Sequence, residues 1–321
     1  MCWFHGTNGI GDRYSTSELT TDEVLALIEQ LAVHRPNIYL GGAEPLTRDD
    51  FTVIAERIKG LGLPLAFTTN GTLLGAELIK SVVGLGIEHM NISLDGPSDI
   101  HDAVRGPGVF GMVIDNLNEM LSLRRTRGAK KPAITINVTV SPLLVGRLRE
   151  TIESIRSETR DQVDAFNIHH LWFITPTELQ AHQTAVAEAL QCSAPGARAH
   201  LLPSVESIDS IALSKEIGEL QGCAKVTFFP DLREDEVRSY YSEGYRARKR
   251  CSASSRVVVI QPNGDVGFCP DEWIDDYVLG NTRDDRFGDI WGNEKARRFR
   301  STMHRRGSFP GCQRCSWMHC F

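Results

Sequence analysis

Five of the eight cysteines crowd into the last quarter of the chain: Cys251, Cys269, Cys312, Cys315 and Cys320. Cys251 precedes, and Cys269 follows, two strand-like runs at 257–261 and 266–268. The turn between them, Pro262-Asn263-Gly264-Asp265, contains an Asn-Gly pair that accepts positive φ at both residues and predicts a β-hairpin. A short helix over 294–303 then brings the chain to Cys312-Gln313-Arg314-Cys315. Two thiolates from the open end of a hairpin and two from a Cys-x2-Cys turn suit either a tetrahedral zinc or an iron–sulfur cube. The spacing leaves both metals open. Cys320 reads as a spare thiol, and Cys192 and Cys223 as small buried hydrophobes. The eighth cysteine, Cys2, stands beside the start and is followed by Trp3 and Phe4.

A second set of residues lies at the ends of strand-like runs. Gly41-Gly42-Ala43-Glu44-Pro45 follows the first, Thr68-Thr69-Asn70-Gly71 the second, and Ser93-Leu94-Asp95-Gly96-Pro97 the third. Asn137 lies on the fourth, and His169-His170 on the fifth. Consecutive strand residues point to opposite faces, so the two histidines do not readily bind one ion. One of them faces substrate, and the other packs between strand and helix.

The elements that must hold these residues alternate in period. Thr20-Thr21-Asp22-Glu23 is a capping box, and apolar residues at helical spacing predict a helix over 20–33. Strands at 38–40, 64–69, 89–94, 133–140 and 165–174 alternate with helices at 48–59, 76–83, 110–124 and 146–157. Alternation of this kind implies parallel pairing with right-handed crossovers. Five strands make most of a barrel, but not eight. An open doubly wound sheet would carry a G-x-G-x-x-G turn after its first strand, and there is none. In a barrel, function gathers at the carboxyl ends of strands, where these unusual turns lie. Residues 175–242 are less regular, with helices expected at 182–190 and 211–220. We place a domain boundary near Glu243, giving domains at 1–243 and 244–321.

At 321 residues with net charge −6, the chain lacks the basic balance of a nucleic-acid binder. Its basic runs, 124–127 and 246–250, read as solvated helix ends or loops. No stretch approaches the ~18 apolar residues of a membrane span, and the first residues lack a signal-peptide pattern. The expectation is a cytoplasmic protein with no membrane or nucleic-acid partner. Its clustered cysteines then argue for metal or redox chemistry, not disulfides.

Taken together, these motifs resemble the radical S-adenosylmethionine superfamily, in which a Cys-x3-Cys-x2-Cys loop precedes a Gly-Gly-Glu-Pro turn. Cys251, Gly264-Asp265-Val266, Cys269, Leu279-Gly280-Asn281, Trp291 and Pro310-x-Cys312-x2-Cys315 resemble its appended SPASM or twitch domain. The resemblance implies an α/β fold, a partial (β/α)6 TIM-like barrel whose first strand is missing. A small C-terminal hairpin-and-helix iron–sulfur domain follows it. It implies two kinds of 4Fe–4S cluster, a core one with Cys2 as a ligand and an auxiliary one on Cys251, Cys269, Cys312 and Cys315. S-adenosylmethionine is expected against Gly42, Ala43, Glu44, Pro45, Thr69, Asn70, Ser93, Asp95 and Arg105. In that correspondence small residues admit the methionine ammonium, Glu44 complements its charge, and Arg105 pairs with its carboxylate. The implied activity is generation of a 5′-deoxyadenosyl radical that abstracts hydrogen from a peptide or small-molecule substrate. His169 and His170 are candidates to face that substrate. A flavodoxin- or ferredoxin-type protein would donate electrons.

On this reading Cys2 is the third cysteine of its motif, and the expectation is a chain lacking the other two. That leaves a non-catalytic iron–sulfur or zinc protein of the same fold as the alternative. A metal-dependent barrel hydrolase would need histidines and carboxylates converging from several strand ends, which carry glycine, asparagine and lone acids instead.

Overall fold

The structure, a computed structural model, describes residues 18–319. Cys2 and Cys320 lie outside the described residues. In chain order the elements are α1 (Thr21–Ala32), β1 (Ile38–Leu40), α2 (Phe51–Gly60), β2 (Leu65–Thr69), α3 (Ala76–Leu85), β3 (His89–Ser93), α4 (Ser98–Arg105) and α5 (Val109–Thr126). There follow β4 (Ala133–Thr139), α6 (Leu148–Glu158), β5 (Ala165–His169), α7 (Pro176–Leu190), α8 (Ser210–Leu220), β6 (Val226–Phe229) and α9 (Glu234–Tyr240). The chain ends with α10 (Ala253–Arg256), β7 (Val259–Ile260), β8 (Asp265–Gly267), β9 (Gly280–Asn281), α11 (Phe287–Gly292) and α12 (Glu294–Arg306).

The chain divides into two compact units that do not follow chain order. One holds residues 32–170 and 208–237; the other holds the described residues up to Leu31, together with Leu171–Ser207 and Arg238 onward. In the first unit, six strands pair in parallel in the order β1-β2-β3-β4-β5-β6. Strictly sequential order, with a helix between successive strands, is the topology of a (β/α) barrel; a doubly wound sheet reverses at a switch point. The sixth strand, Val-Thr-Phe-Phe, falls inside the stretch that sequence patterning left irregular, since four residues are too few to display a period.

Helices cover one face of this sheet. Leu65, Phe67, Met90, Ile92, Ile134, Ile136, Val138, Phe166 and Ile168 are fully buried there. Phe51 of α2 meets Phe67 edge-on at 5.2 Å, and the Arg156 guanidinium of α6 lies over the Phe166 ring at 5.5 Å. Helix α6 has no side-chain cap of its own. Glu216 of α8 supplies one, accepting from the N–H groups of Gly146 at 2.9 Å and Leu148 at 2.7 Å.

The second unit is built on an antiparallel sheet, β7-β8-β9, confirming the hairpin around Asn263-Gly264. Helix α1 belongs to this unit. Its predicted capping box is present, with the Glu23 carboxylate accepting from the Thr20 N–H at 2.7 Å and Thr20 Oγ1 accepting from the Glu23 N–H at 3.3 Å. Leu27 packs with Phe287, and Glu23 pairs with Arg283 at 2.7 Å. Helix α7 begins six residues before its expected start, on a capping box of Thr175 and Glu178 with Pro176 at the first position. The strand expected over 165–174 stops at His169. Beyond it the Leu171 N–H donates to the Tyr241 hydroxyl at 3.1 Å, and Ile174 bridges to Leu201.

Candidate active site and thiolate cluster

The second face of the parallel sheet is polar. Parallel sheets are normally apolar on both faces, because helices or a packed barrel core cover both. Here β3, β4 and β5 alternate, and the registered rows on this face read Thr68–Asn91–Thr135, Ser93–Asn137–Asn167–Thr227 and Thr139–His169–Phe229. Several of these groups bond one another. Asn91 Nδ2 donates to the Tyr39 hydroxyl at 3.3 Å, which in turn makes a short contact with Thr68 Oγ1. The imidazole Nε2 of His89 meets Thr135 Oγ1 at 2.8 Å, and Asn167 Nδ2 meets His169 Nε2 at 3.0 Å. Asn137 Oδ1 is buried with no hydrogen-bond partner among the described residues. An acceptor left so costs about 1–3 kcal/mol, so it marks a place where a donor belongs. Burial pushes His169 down to about 4, which keeps its imidazole neutral at neutral pH.

The strand-end turns take the positions expected of them. Gly41, Gly42 and Ala43 are exposed, and Gly42 has φ 120°, a conformation open to glycine and strained for other residues. Glu44 turns away from solvent. One carboxylate oxygen accepts from Thr69 Oγ1 at 2.8 Å and the Leu46 N–H at 3.2 Å, while the other accepts from the Asn70 N–H at 2.6 Å. It thereby fastens the loop after β1, with the 3-10 turn at Pro45–Thr47, to the end of β2. Thr69 alternates onto the apolar face and is 1% exposed. The Asn70 side chain closes an Asx turn on Thr72 at 2.8 Å. Ser93 lies on the polar face at the end of β3. Asp95, just beyond it, accepts from Arg105 Nε at 2.5 Å, and its N–H donates to His101 Nδ1 at 3.1 Å. Of the two consecutive histidines, His169 takes the polar face. His170 is fully buried, its N–H donating to the Phe229 carbonyl at 2.8 Å.

Sequence reasoning missed Tyr39, Asn91, Thr135, Asn167 and Thr227. The signal was present: in His-Met-Asn-Ile-Ser, Ala-Ile-Thr-Ile-Asn-Val-Thr and Ala-Phe-Asn-Ile-His, polar residues recur at every second position.

In the second unit the four predicted thiols come together. Cys251, Cys269, Cys312 and Cys315 share one apolar cluster, and none is in a disulfide. Burial pushes all four thiols up, Cys312 to about 12, and each of Cys269, Cys312 and Cys315 is pushed further by neighbouring thiols of the set. Four thiolates this close and this buried need a cationic centre to hold their charge. Among the described residues, no group of three or more His, Cys, Asp and Glu side chains is gathered tightly enough for one metal ion. A cube asks something different, because its four thiolates bind a cluster of irons and surround a volume. The donor set therefore fits a 4Fe–4S cluster.

The frame around these thiols is polar and buried. His182 Nε2 meets the Trp273 carbonyl at 2.6 Å, and its Nδ1 accepts from the Gly311 N–H at 3.0 Å. A Cβ on Gly311 would lie 2.9 Å from that imidazole, so only glycine fits beside Cys312. The His200 ring stacks on Trp273 at 4.1 Å and bonds the Asp271 carbonyl at 2.8 Å. Asp271 accepts from Cys315 Sγ at 3.2 Å and Ser316 Oγ at 3.0 Å. Arg314, between the two turn cysteines, is 1% exposed. It pairs with Glu178 at 2.9 Å, donates to the Tyr240 carbonyl at 2.8 Å, and lies 4.0 Å over the Phe173 ring.

A parallel sheet of sequential β/α units with a polar face, beside a separate unit holding four buried thiols, defines an α/β protein built around metallocofactors. A family model for the radical SAM superfamily matches residues 1–155, and one for SPASM, an iron–sulfur cluster-binding domain, matches residues 251–316. The chain belongs to the radical S-adenosylmethionine superfamily of enzymes and carries its SPASM domain, so its cofactors are 4Fe–4S clusters and S-adenosylmethionine. Of the two metals the cysteine spacing left open, iron–sulfur is the one this domain takes.

Among its relatives, the AdoMet-dependent heme synthase of Methanosarcina barkeri is 27% identical over 309 residues, covering 92% of this chain and 80% of that protein. The mycofactocin maturase MftC of Mycobacterium ulcerans is 25% identical over 295 residues, 89% of this chain and 69% of that one. The solved structure of Streptococcus suis SuiB bound to S-adenosylmethionine superposes with TM-score 0.55 at 15% identity, over 85% of this chain and 58% of SuiB. At that identity the likeness is one of fold. No helix among the described residues is long and apolar enough to cross a membrane.

Proposed function

We propose that the polar sheet face and its strand-end loops bind S-adenosylmethionine and substrate, and that the protein catalyses hydrogen abstraction from a peptide. Bound with a core cluster that takes Cys2 as one ligand, S-adenosylmethionine would supply the 5′-deoxyadenosyl radical. The chain's own residues bind and orient. The exposed Gly41-Gly42-Ala43 backbone offers close approach to the methionyl end. Glu44 holds that loop against β2, and so acts through the loop's position. Ser93, with Asp95 held by Arg105, offers hydroxyl and carboxylate partners to ribose or amino acid groups. Asn70 braces the turn beside them. Cys251, Cys269, Cys312 and Cys315 hold the auxiliary 4Fe–4S cluster. The domain division at Glu243 follows this split of roles: cofactor cleavage before it, the auxiliary cluster after it.

The observation that carries this reading is the buried, unpartnered Asn137 Oδ1 in a row of amides and hydroxyls. The same face points to the substrate class. Its row positions carry Asn, Thr, Ser and a neutral His, with no lysine or arginine. Such a lining suits uncharged amides, as in a peptide backbone; a tetrapyrrole brings several carboxylates that ask for cations. SuiB has been solved bound to its precursor peptide SuiA, which supports a peptide. A flavodoxin- or ferredoxin-type protein supplies the electrons.

Equilibrium dialysis against S-adenosylmethionine tests the cofactor site. Ser93→Ala and Asp95→Asn should each weaken binding by roughly tenfold, the effect of about 1.4 kcal/mol in hydrogen bonding. Affinities within twofold of the parent would contradict the placement.

A further inference from the structure

One motif has no part in the function so far: the basic run Arg246 to Arg250. Residues 246–251 are hydrogen-bonded on both sides to the thiolate frame. The Ala247 N–H donates to Oε1 of Gln313, inside the Cys312-x2-Cys315 turn, at 2.9 Å. The Cys251 N–H donates to the Gly307 carbonyl at 2.8 Å, just past the end of α12, and the Arg250 guanidinium reaches the His304 carbonyl. Lys249 Nζ donates to the His319 carbonyl at 3.1 Å. This segment therefore lies against the cluster-binding turn, and its last residue is itself a ligand.

Its side chains are cationic and exposed. Arg246, Arg248, Lys249 and Arg250 are all exposed, as are Arg305 and Arg306 where α12 ends beside it. None of the six forms an ion pair among the described residues, although Arg, Lys and Asp, Glu pair widely elsewhere on this chain. In a protein of net charge −6, six unpaired cations next to one another stand out. Part of the α12 charge complements the helix dipole. That account does not extend to Arg246, Arg248 and Lys249, which lie outside any helix.

We propose that this cationic surface over the Cys312–Cys315 turn and Cys251 docks an acidic one-electron carrier protein and passes electrons to the auxiliary cluster. The proposal rests on the reading of the four thiols as cluster ligands. The step makes and breaks no bond: the carrier is oxidised by one electron and the cluster is reduced by one. Opposite charge brings the carrier's surface to the protein over the face nearest the cluster ligands, and raises the association rate steeply at low salt.

The test uses the reconstituted protein, an acidic FMN flavodoxin in its hydroquinone form, and the variant R246E/R248E/R305E. Iron content, thermal midpoint and reduction by photoreduced 5-deazariboflavin, a small neutral reductant, should match the parent. Flavodoxin binding should weaken by tenfold or more, and its second-order rate of bleaching the cluster should fall by about 10–100-fold at low ionic strength. The parent rate should drop with added salt and the variant rate should not. A variant that binds and is reduced by flavodoxin like the parent would overturn the proposal. So would a variant that keeps flavodoxin binding but loses an acidic peptide, since the surface would then belong to substrate. Failure of the parent to take up iron or to be bleached by deazariboflavin would overturn the cluster assignment on which the proposal stands.

Discussion

A single amide gives the cofactor site its sharpest test. Asn137 Oδ1 is buried without a partner, so in the ligand-free protein it carries a desolvation cost with no return. Asn137→Leu keeps the shape and removes the cost. Its stability should equal or exceed the parent by up to about 1 kcal/mol, while its affinity for S-adenosylmethionine or substrate should fall by roughly tenfold. Urea unfolding and equilibrium dialysis on the same preparation measure the two signs; a residue that is merely structural would lose both together. Glu44 acts in the opposite way, because its carboxylate accepts three hydrogen bonds within the fold. Glu44→Ala should cost about 1–3 kcal/mol of stability, read in the same urea transitions. The Gly-Gly-Ala-Glu-Pro turn marks this site in the sequence by composition alone. The role of its glutamate is not legible there, because the partners, Thr69 and Asn70, are brought in by the pairing of β1 with β2.

At the level of elements, sequence periodicity carries most of the fold. The five strands read from apolar runs are all present, and the α1 capping box has its expected bonds. Two elements escaped for opposite reasons. β6 is too short to show a period, whereas the start of α7 was announced by Thr175-Pro176-x-Glu178 and overlooked, because the apolar positions of its first turn are sparse. The polar face was hidden in plain alternation, which reads equally well as a solvated sheet. Between elements, Glu88 ties the amino-terminal ends of β2 and β4 together, accepting from the Leu65 N–H at 2.8 Å and from Lys59 and Lys131. Burial alone would raise its carboxyl. The Leu65 N–H, then Lys131 and Lys59, overcome that and hold it at about 2 against an ordinary 4.5. A carboxyl depressed in the folded state stabilises above its unfolded value and loses that contribution as pH falls from 4.5 towards 2. Glu88→Gln should therefore flatten the fall in thermal midpoint across that window; an unchanged slope would exclude Glu88 as its source.

For the whole molecule, the two compact units interleave in sequence, so the segment Leu171–Ser207 belongs with the cysteine-rich end of the chain. No local pattern announces this, since it depends on contacts across more than a hundred residues. The Arg314–Glu178 pair is one of them, both groups buried and 136 positions apart. Removing one partner, as in Arg314→Met or Glu178→Gln, should cost about 3–5 kcal/mol by stranding a buried charge. Replacing both by apolar residues should cost much less, and a double-mutant cycle in urea measures the difference. Loss of less than about 1 kcal/mol in the single variants would show the pair to be dispensable.

The central claim is that Cys251, Cys269, Cys312 and Cys315 hold an auxiliary 4Fe–4S cluster. Iron, zinc and acid-labile sulfide should be counted in anaerobically prepared parent and Cys312→Ala/Cys315→Ala protein, with Mössbauer spectra of both. The account predicts a loss of about four irons and about four sulfides per chain in the variant, with disappearance of one 4Fe–4S spectral component. Unchanged iron, or zinc in place of iron at this site in the parent, would contradict it.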